Sequence, residues 1–437
     1  MRRLLPLLFL TMMFAVVAYA ADPVSKVLPN GVRFVTADNT AAKLVSIEIL
    51  IDCSAIDEPL PIKGLRRVLL SSMLQGSASA NGLTLQQRII DAGGSIEGRT
   101  LQDSLELSVT VPPSALATAF SVLADIICHP RLSDADIQIA LTQAQQKALL
   151  GPDGILDTAS WYSYELLYQN HPYTTRGVGA PETISRISPD LVHLAYNYFV
   201  SPQNVIVAVA GNCSYDAAVG ELEKNFGAWS TSAGRIVRNT VKSPELSTSQ
   251  LFLREAPVQS TCVMITFPVC GATKEDFLTL RLINTILSGG TGSRLFRDIR
   301  EQQHLAYEVS SLLPNQINDS YFSVYVLTHN RYLEDTKSAL VAEFSRLQTG
   351  KVSDRELQRA KAFLKGSILI SHQSNAQYAY DLAWDMLSGQ GIGYDKAYAG
   401  KIDAISADDV QRVARTYFTH YNLVVIVPLS VTASPAS

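Results

Sequence analysis

The sequence predicts an α+β protein of two homologous domains, each a mainly antiparallel sheet with helices packed on one face. An internal repeat is the first reason. ISPDLVHLAYNYFVSPQNVIVAVAG from Ile187 and ISADDVQRVARTYFTHYNLVVIVPL from Ile405 share one pattern, and LSDADIQIALTQAQQKAL from Leu132 matches VSDRELQRAKAFLKGSIL from Val352. The separations are 218 and 220 residues. Solenoid repeats run at ~20 to 50 residues, so a period this long indicates a duplicated domain. The second reason is that each half opens with short strands and continues in long amphipathic helices, in no strict βαβα order, which argues layers of helix on sheet. The third is a polar stretch, 230–249, carrying Gly234 and Pro244 between the halves, which reads as a linker.

The elements follow in order. Residues 1–20 combine Arg2 and Arg3, an apolar run over 4–17 and the small-x-small site Ala18-Tyr19-Ala20. This reads as a secretory signal peptide cleaved after Ala20, directing the chain to the periplasm. The apolar run is shorter than the ~20 residues a spanning helix needs. Leu28-Pro29-Asn30-Gly31 is a turn between strands, and 44–51 is a β-rich run. Residues 64–77 are helical by apolar spacing, and 104–111 and 321–327 alternate as strands do. In the second half 251–253 and 261–267 repeat the strand-rich start. Each repeated helix begins with Ser and Asp residues suited to capping its first turn. The expected domains are therefore 21–229 and 250–431, with the linker at 230–249 and a tail at 432–437.

Composition narrows the function classes. The chain of 437 residues has 36 basic and 40 acidic side chains, a net charge of -4, and no long run of either sign. Nucleic acid and anionic membrane surfaces are thus poor partners. Five cysteines (53, 128, 213, 262, 270) include no C-x-x-C pair, and an odd count suits buried thiols better than a disulfide framework, although a Cys262–Cys270 bridge stays open. Seven histidines include no two within five residues of each other, so no local metal motif exists. Neither a G-x-S-x-G elbow nor a G-K-[ST] after the glycines of 288–293 is present; those glycines read as a turn between helices. Tyr378, Tyr380 and Trp384, at helical spacing, read as core, and Thr291, Arg294 and Phe296 as structural.

Two stretches carry more. Residues 64–77 read GLRRVLLSSMLQGS, behind Asp57-Glu58-Pro59, and 286–309 read ILSGGTGSRLFRDIREQQHLAYEV. The first resembles the zinc helix of the insulinase/pitrilysin metallopeptidase family, G-L-x-H-x-x-E-H-M-L-x-x-G-T. The second resembles that family's second-domain signature. The resemblance spans nearly all of the chain after residue 20 and implies a half clam shell of the mitochondrial-processing-peptidase type. Leu65, Val68, Leu69 and Met73 keep the apolar face of the zinc helix. Where the family has His, Glu and His, this chain has Arg67, Leu70 and Ser71. A zinc site needs lone-pair donors and a carboxylate base beside the bound water; a guanidinium, a hydrocarbon and a neutral hydroxyl supply neither. By resemblance the third ligand would be a Glu near 143–147, yet no Glu occurs between Glu106 and Glu165.

Arg300 and Tyr307 match the Arg and Tyr that the family uses to hold substrate peptide beside the zinc. Both donate hydrogen bonds of the kind a tetrahedral oxyanion requires. The plainer reading pairs Arg300 with Glu301 or Asp298 and half-buries Tyr307 in a strand. The resemblance implies a non-catalytic subunit of a heterodimeric zinc peptidase, without metal or cofactor of its own. It would close a chamber and hold peptide for a zinc-bearing partner of the same family. The alternative is a homodimeric peptide-binding or scaffolding protein without proteolytic activity.

Overall fold

The computed structural model describes residues 22–40, 42–169, 171–174, 179–231, 233–236 and 241–429. The expected signal peptide and the tail lie outside them. In the first half β1 (Val24–Val27), β2 (Arg33–Asp38), β3 (Val45–Asp52), β4 (Ser95–Thr100), β5 (Ser104–Val111) and β6 (Val205–Gly211) form a sheet ordered β1-β2-β6-β3-β5-β4. In the second, β7 (Gln250–Ala256), β8 (Thr261–Cys270), β9 (Glu308–Leu312), β10 (Asp319–Thr328) and β11 (Asn422–Pro428) are ordered β7-β11-β8-β10-β9. Both sheets are antiparallel except at one place, β2 with β6 and β7 with β11. In each half the last strand inserts between the two opening strands of the repeat, so the duplication is legible in the topology as well as in the sequence.

The helices of the first half are α1 (Leu65–Leu74), α2 (Gly82–Asp91), α3 (Leu116–Cys128), α4 (Asp134–Leu150), α5 (Gly154–Tyr168), α6 (Pro181–Ile184), α7 (Pro189–Phe199) and α8 (Tyr215–Phe226). Those of the second are α9 (Asp276–Ser288), α10 (Leu333–Thr349), α11 (Asp354–Ser371), α12 (Asn375–Ser388), α13 (Tyr394–Ala404) and α14 (Ala407–Tyr417), with a π-helical segment at Leu295–Gln302. The repeat's serines cap as their chemistry predicts: Ser133, Ser188, Ser353 and Ser406 each accept the backbone N–H three residues on. No helix or strand occurs among the described residues of 230–249. Cys262 and Cys270 stand at opposite ends of β8, about 26 Å apart at strand rise, and no disulfide forms among the described residues.

Each half lays its own helices on one face of its sheet. Val45, Ile47, Ile49 and Ile51 of β3 point into a core with α1, α3, α7 and α8, and Val263, Ile265 and Phe267 of β8 into one with α9, α10 and α14. The second face of each sheet is covered as well, by a helix of the other half. Val35, Leu50, Ile206 and Ala208 of sheet one pack with Ala379, Leu382 and Ala383 of α12. Cys262, Met264, Val424 and Ile426 of sheet two pack with Ala159 of α5. Helices α5 and α12 follow the repeated α4 and α11, so the exchange is itself duplicated. Amphipathicity marks a buried face but not the surface that buries it, so the exchange could not be read from sequence.

Candidate functional site

Helix α1 starts at Gly64, whose φ of 101° is left-handed and open to glycine without penalty. Its core face is Leu65, Val68, Leu69 and Met73, all buried. Arg67, Leu70 and Ser71 share one helical patch at i, i+3 and i+4, with Leu70 still within the core cluster. Leu70 is 3% exposed. A Cβ on Gly98 of β4 would stand 3.7 Å from its Cδ2, so the side chain is pressed against the edge strand where a base would need water. Arg67 is half-buried, and burial draws its pKa downward. It has no hydrogen bond or ion pair with the described residues.

Ser71 identifies the facing residue on α4. Its Oγ donates to Gln143 Oε1 at 3.0 Å, at the near end of the window 143–147. The structure thus seats Ser71 against Gln143 on the α1–α4 seam, with Arg67 and Leu70 at neighbouring positions of the same helix. Those four offer a cation, a hydrocarbon, a neutral hydroxyl and a neutral amide, a set that does not fit zinc. Among the described residues no three His, Cys, Asp or Glu side chains are grouped to hold a metal ion.

The residue beside Arg67 does something different. Arg66 is fully buried, with Nη1 donating to the carbonyls of Cys53 at 2.5 Å and Leu101 at 3.0 Å. Its backbone N–H donates to Glu58 Oε1 at 2.9 Å. Lys63, also fully buried, donates to Ala55 O and Pro172 O and stands 3.8 Å from Glu58, and burial pushes its pKa down to about 8. This cluster pins the start of α1. The acidic Asp57-Glu58-Pro59 with Lys63 and Arg66 behind it was its only sequence signal.

A second polar joint ties the halves together. Asp103, 1% exposed, accepts from Ser54 Oγ at 2.9 Å, Tyr173 Oη at 2.6 Å and the N–H of Ile317 at 2.8 Å. Tyr168 donates to Gln316 at 3.0 Å, Asn318 donates to Tyr173 at 3.2 Å, and His171 lies 3.5 Å from Asp319. The loop between β9 and β10 is therefore seated in a pocket of the first half, a feature without local sequence signal.

Arg300 and Tyr307 lie in the other half, with no hydrogen bond or ion pair to the α1 residues among the described ones. Arg300 is exposed on the π-helical segment, 4.9 Å from the Phe296 ring centroid and 3.9 Å from Glu301. Its pairing with Glu301 is loose rather than a closed salt bridge. Tyr307 is 50% exposed just before the edge strand β9, its N–H donating to Leu327 O at 3.2 Å. Its phenol has no partner among the described residues. The π-helical segment packs on β9, so both donors flank one sheet edge and face outward.

Comparison with known proteins matches the two-domain fold. A model described as "Insulinase (Peptidase family M16)" matches residues 33–149, and one described as "Peptidase M16 inactive domain" matches 186–364. An uncharacterised zinc protease of Bacillus subtilis is similar, 23% identical over 401 residues, covering 91% of this chain and 97% of that protein. A probable mitochondrial-processing peptidase subunit beta of Arabidopsis thaliana is 23% identical over 406 residues, covering 89% of this chain and 75% of that one. Among solved structures, a protease from Helicobacter pylori superposes with a TM-score of 0.87 at 16% identity, over 94% of this chain and 100% of that one. A peptidase M16 inactive domain from Pseudomonas fluorescens gives 0.84 at 17%, with the same coverage.

Proposed function

The chain belongs to the insulinase family, peptidase M16, with both the N-terminal and the C-terminal domain of that family, and from there we propose that it is a pseudopeptidase subunit. It closes a chamber and holds peptide for a zinc-bearing relative, and it works in the periplasm once residues 1–20 are removed. The observation that carries the reading is the α1–α4 seam. The scaffold of a zinc helix is kept, with Ser71 and Gln143 still facing each other across it, while every position that would have to ligate or deprotonate has lost that chemistry.

Two further features support it. Arg300 and Tyr307 are presented outward without strong partners, as residues acting on a substrate held elsewhere would be. Leu149 and Leu150 at the end of α4 are 68% and 77% exposed, and Leu369 and Ile370, 220 residues on at the end of α11, are 71% and 66% exposed. Apolar residues left bare at equivalent places in both halves suit a partner built on the same duplicated plan. A second copy of this chain meets that description too, which keeps a homodimeric peptide-binding protein as the alternative.

The test is to isolate the native protein from its source, identify what accompanies it, and measure metal and peptide cleavage on the separated chain and on the complex. The reading expects no stoichiometric zinc and no cleavage from the chain alone, and a companion with H-x-x-E-H. One tightly held zinc per chain with chelator-sensitive cleavage would overturn it, and a homodimer without companion would favour the alternative.

A further inference from the structure

The reading above does not use a cleft of about 860 Å³ beside the π-helical segment that carries Arg300. It opens where the glycine loop after α9, the π-helical segment, the end of α10 and the first turns of α11 meet. Arg294, Arg297, Arg346, Lys351, Arg355 and Arg359 line it, against two carboxylates, Asp298 and Glu356. Two further carboxylates, Glu343 and Asp408, pair with Arg346 and Lys351 from outside the lining, so in a chain of net charge -4 the cleft still keeps a local excess of positive charge.

The two lining carboxylates are already engaged. Arg294 grips Glu356 with two hydrogen bonds, at 2.7 and 2.8 Å. Arg297 donates to Asp298 at 2.6 and 3.2 Å, with Arg346 at 3.5 Å from the same group. Lys351 turns to Asp408, 2.6 Å away. Arg355 and Arg359 remain, both exposed, without ion pair or hydrogen bond among the described residues. They sit one turn apart on one face of α11, and like charges at that spacing cost a helix stability. Gly292 leaves space for one of them: a Cβ there would stand 3.1 Å from Arg359 Nη1. The positive end of the α11 dipole adds to the same field.

The lining selects by charge alone. Besides the ionic groups it contains only Thr349, Gly350 and Ser353, with no aromatic ring to stack a base and no aliphatic side chain to take an acyl chain or an apolar residue. Its volume lies within the ~300 to 1,000 Å³ of ligand sites and exceeds what a single oxyanion fills. We propose that this cleft binds clustered phosphate groups, with the guanidinium forks of Arg355 and Arg359 as the free ligating pair. The source is either a soluble polyphosphate or, through this local patch and against the overall charge of -4, the phosphate headgroups of a surface.

The experiment uses the full chain without residues 1–20 and titrates it with tripolyphosphate by calorimetry, and with phosphatidylglycerol vesicles by co-sedimentation. Saturable binding to either is expected, falling about tenfold or more in R355Q/R359Q, since the charge-assisted hydrogen bonds of both guanidinium groups are lost. Both side chains are exposed and their mutual repulsion is removed, so thermal melts of the variant should equal or slightly exceed the parent, and Lys224→Gln, at an exposed lysine of the other half, should bind as the parent does. Tripolyphosphate alone would assign a soluble ligand, and vesicles alone a headgroup. No saturable binding to either probe, or binding that R355Q/R359Q leaves unchanged, would overturn the proposal.

Discussion

On the proposed reading, Arg67, Leu70 and Ser71 stand where a zinc helix would carry its ligands and base, on a helix that is itself intact. The facing Gln143 now makes the reverse experiment specific. Restoring His, Glu and His at 67, 70 and 71 should yield only weak metal binding, because an amide at Gln143 is a poor ligand for zinc. Adding Gln143→Glu should tighten zinc by about tenfold or more, the scale on which a lost or gained ligand-shell group acts. Competition with a chelating dye measures both, and equal affinity in the triple and quadruple variants would show that Gln143 is not the third position. Tyr307 and Arg300 allow a separate check in complex with a zinc-bearing partner. Tyr307→Phe should lower turnover by ~100-fold if its phenol meets the oxyanion. With no partner for that phenol among the described residues, the stability of the chain should shift by less than about 0.5 kcal/mol. Arg300→Ala should cost substrate affinity as well as rate. Complexes that form normally and cleave at the parent rate would reduce both residues to surface.

At the scale of elements, sheet one carries a titrating pair on the face beneath α12. Glu48 of β3 and Glu106 of β5 are 2% and 1% exposed, and Ser108 donates to Glu48 while Arg99 holds Glu106. Burial, with Glu106 beside it, pushes Glu48 from an ordinary 4.5 up to about 8. The folded state therefore binds its proton more tightly than the unfolded chain does. That contribution is complete below the unfolded value and is lost as pH rises through the folded one. Buried Asp385 of α12, raised to about 8 by burial, acts in the same direction. Denaturant unfolding should show stability declining between about pH 5 and about pH 8, and Glu48→Gln should flatten part of that slope. A parent without the decline would mean the pair is hydrated. Much at this scale was legible beforehand: the turn at 28–31, the run 44–51 that folds as the strand 45–52, the strand 104–111 and the capped helices follow from local periodicity and cap chemistry. The pairing of Ser71 with Gln143 was legible only as a window, because the intervening strands and helices hide the register between two helices 72 positions apart. The Glu48 and Glu106 pair was not legible at all, since strand alternation names two faces and cannot say that both are covered.

For the whole molecule, Asp103 is where the halves lock. It gathers a hydroxyl and a phenol from the first half and a backbone N–H from the second, with burial pushing its own pKa up against those donors. Asp103→Ala leaves three buried donors without an acceptor, at about 1 to 3 kcal/mol for each unsatisfied group. The loop 316–319 should then gain hydrogen exchange well before the cores of either sheet do. Uniform exchange across the chain would show that the joint is not a separate unit. The exchanged helices bear on how the chain comes into being. Sheet one is complete in sequence once β6 has left the ribosome at Gly211, but the helix that roofs its second face begins only at Asn375. At roughly 5 to 20 residues per second, that face waits on the order of ten to thirty seconds for its cover. Through that interval Val35, Leu50, Ile206 and Ala208 lack the cover that α12 gives them, so the first half cannot complete its packing ahead of the second.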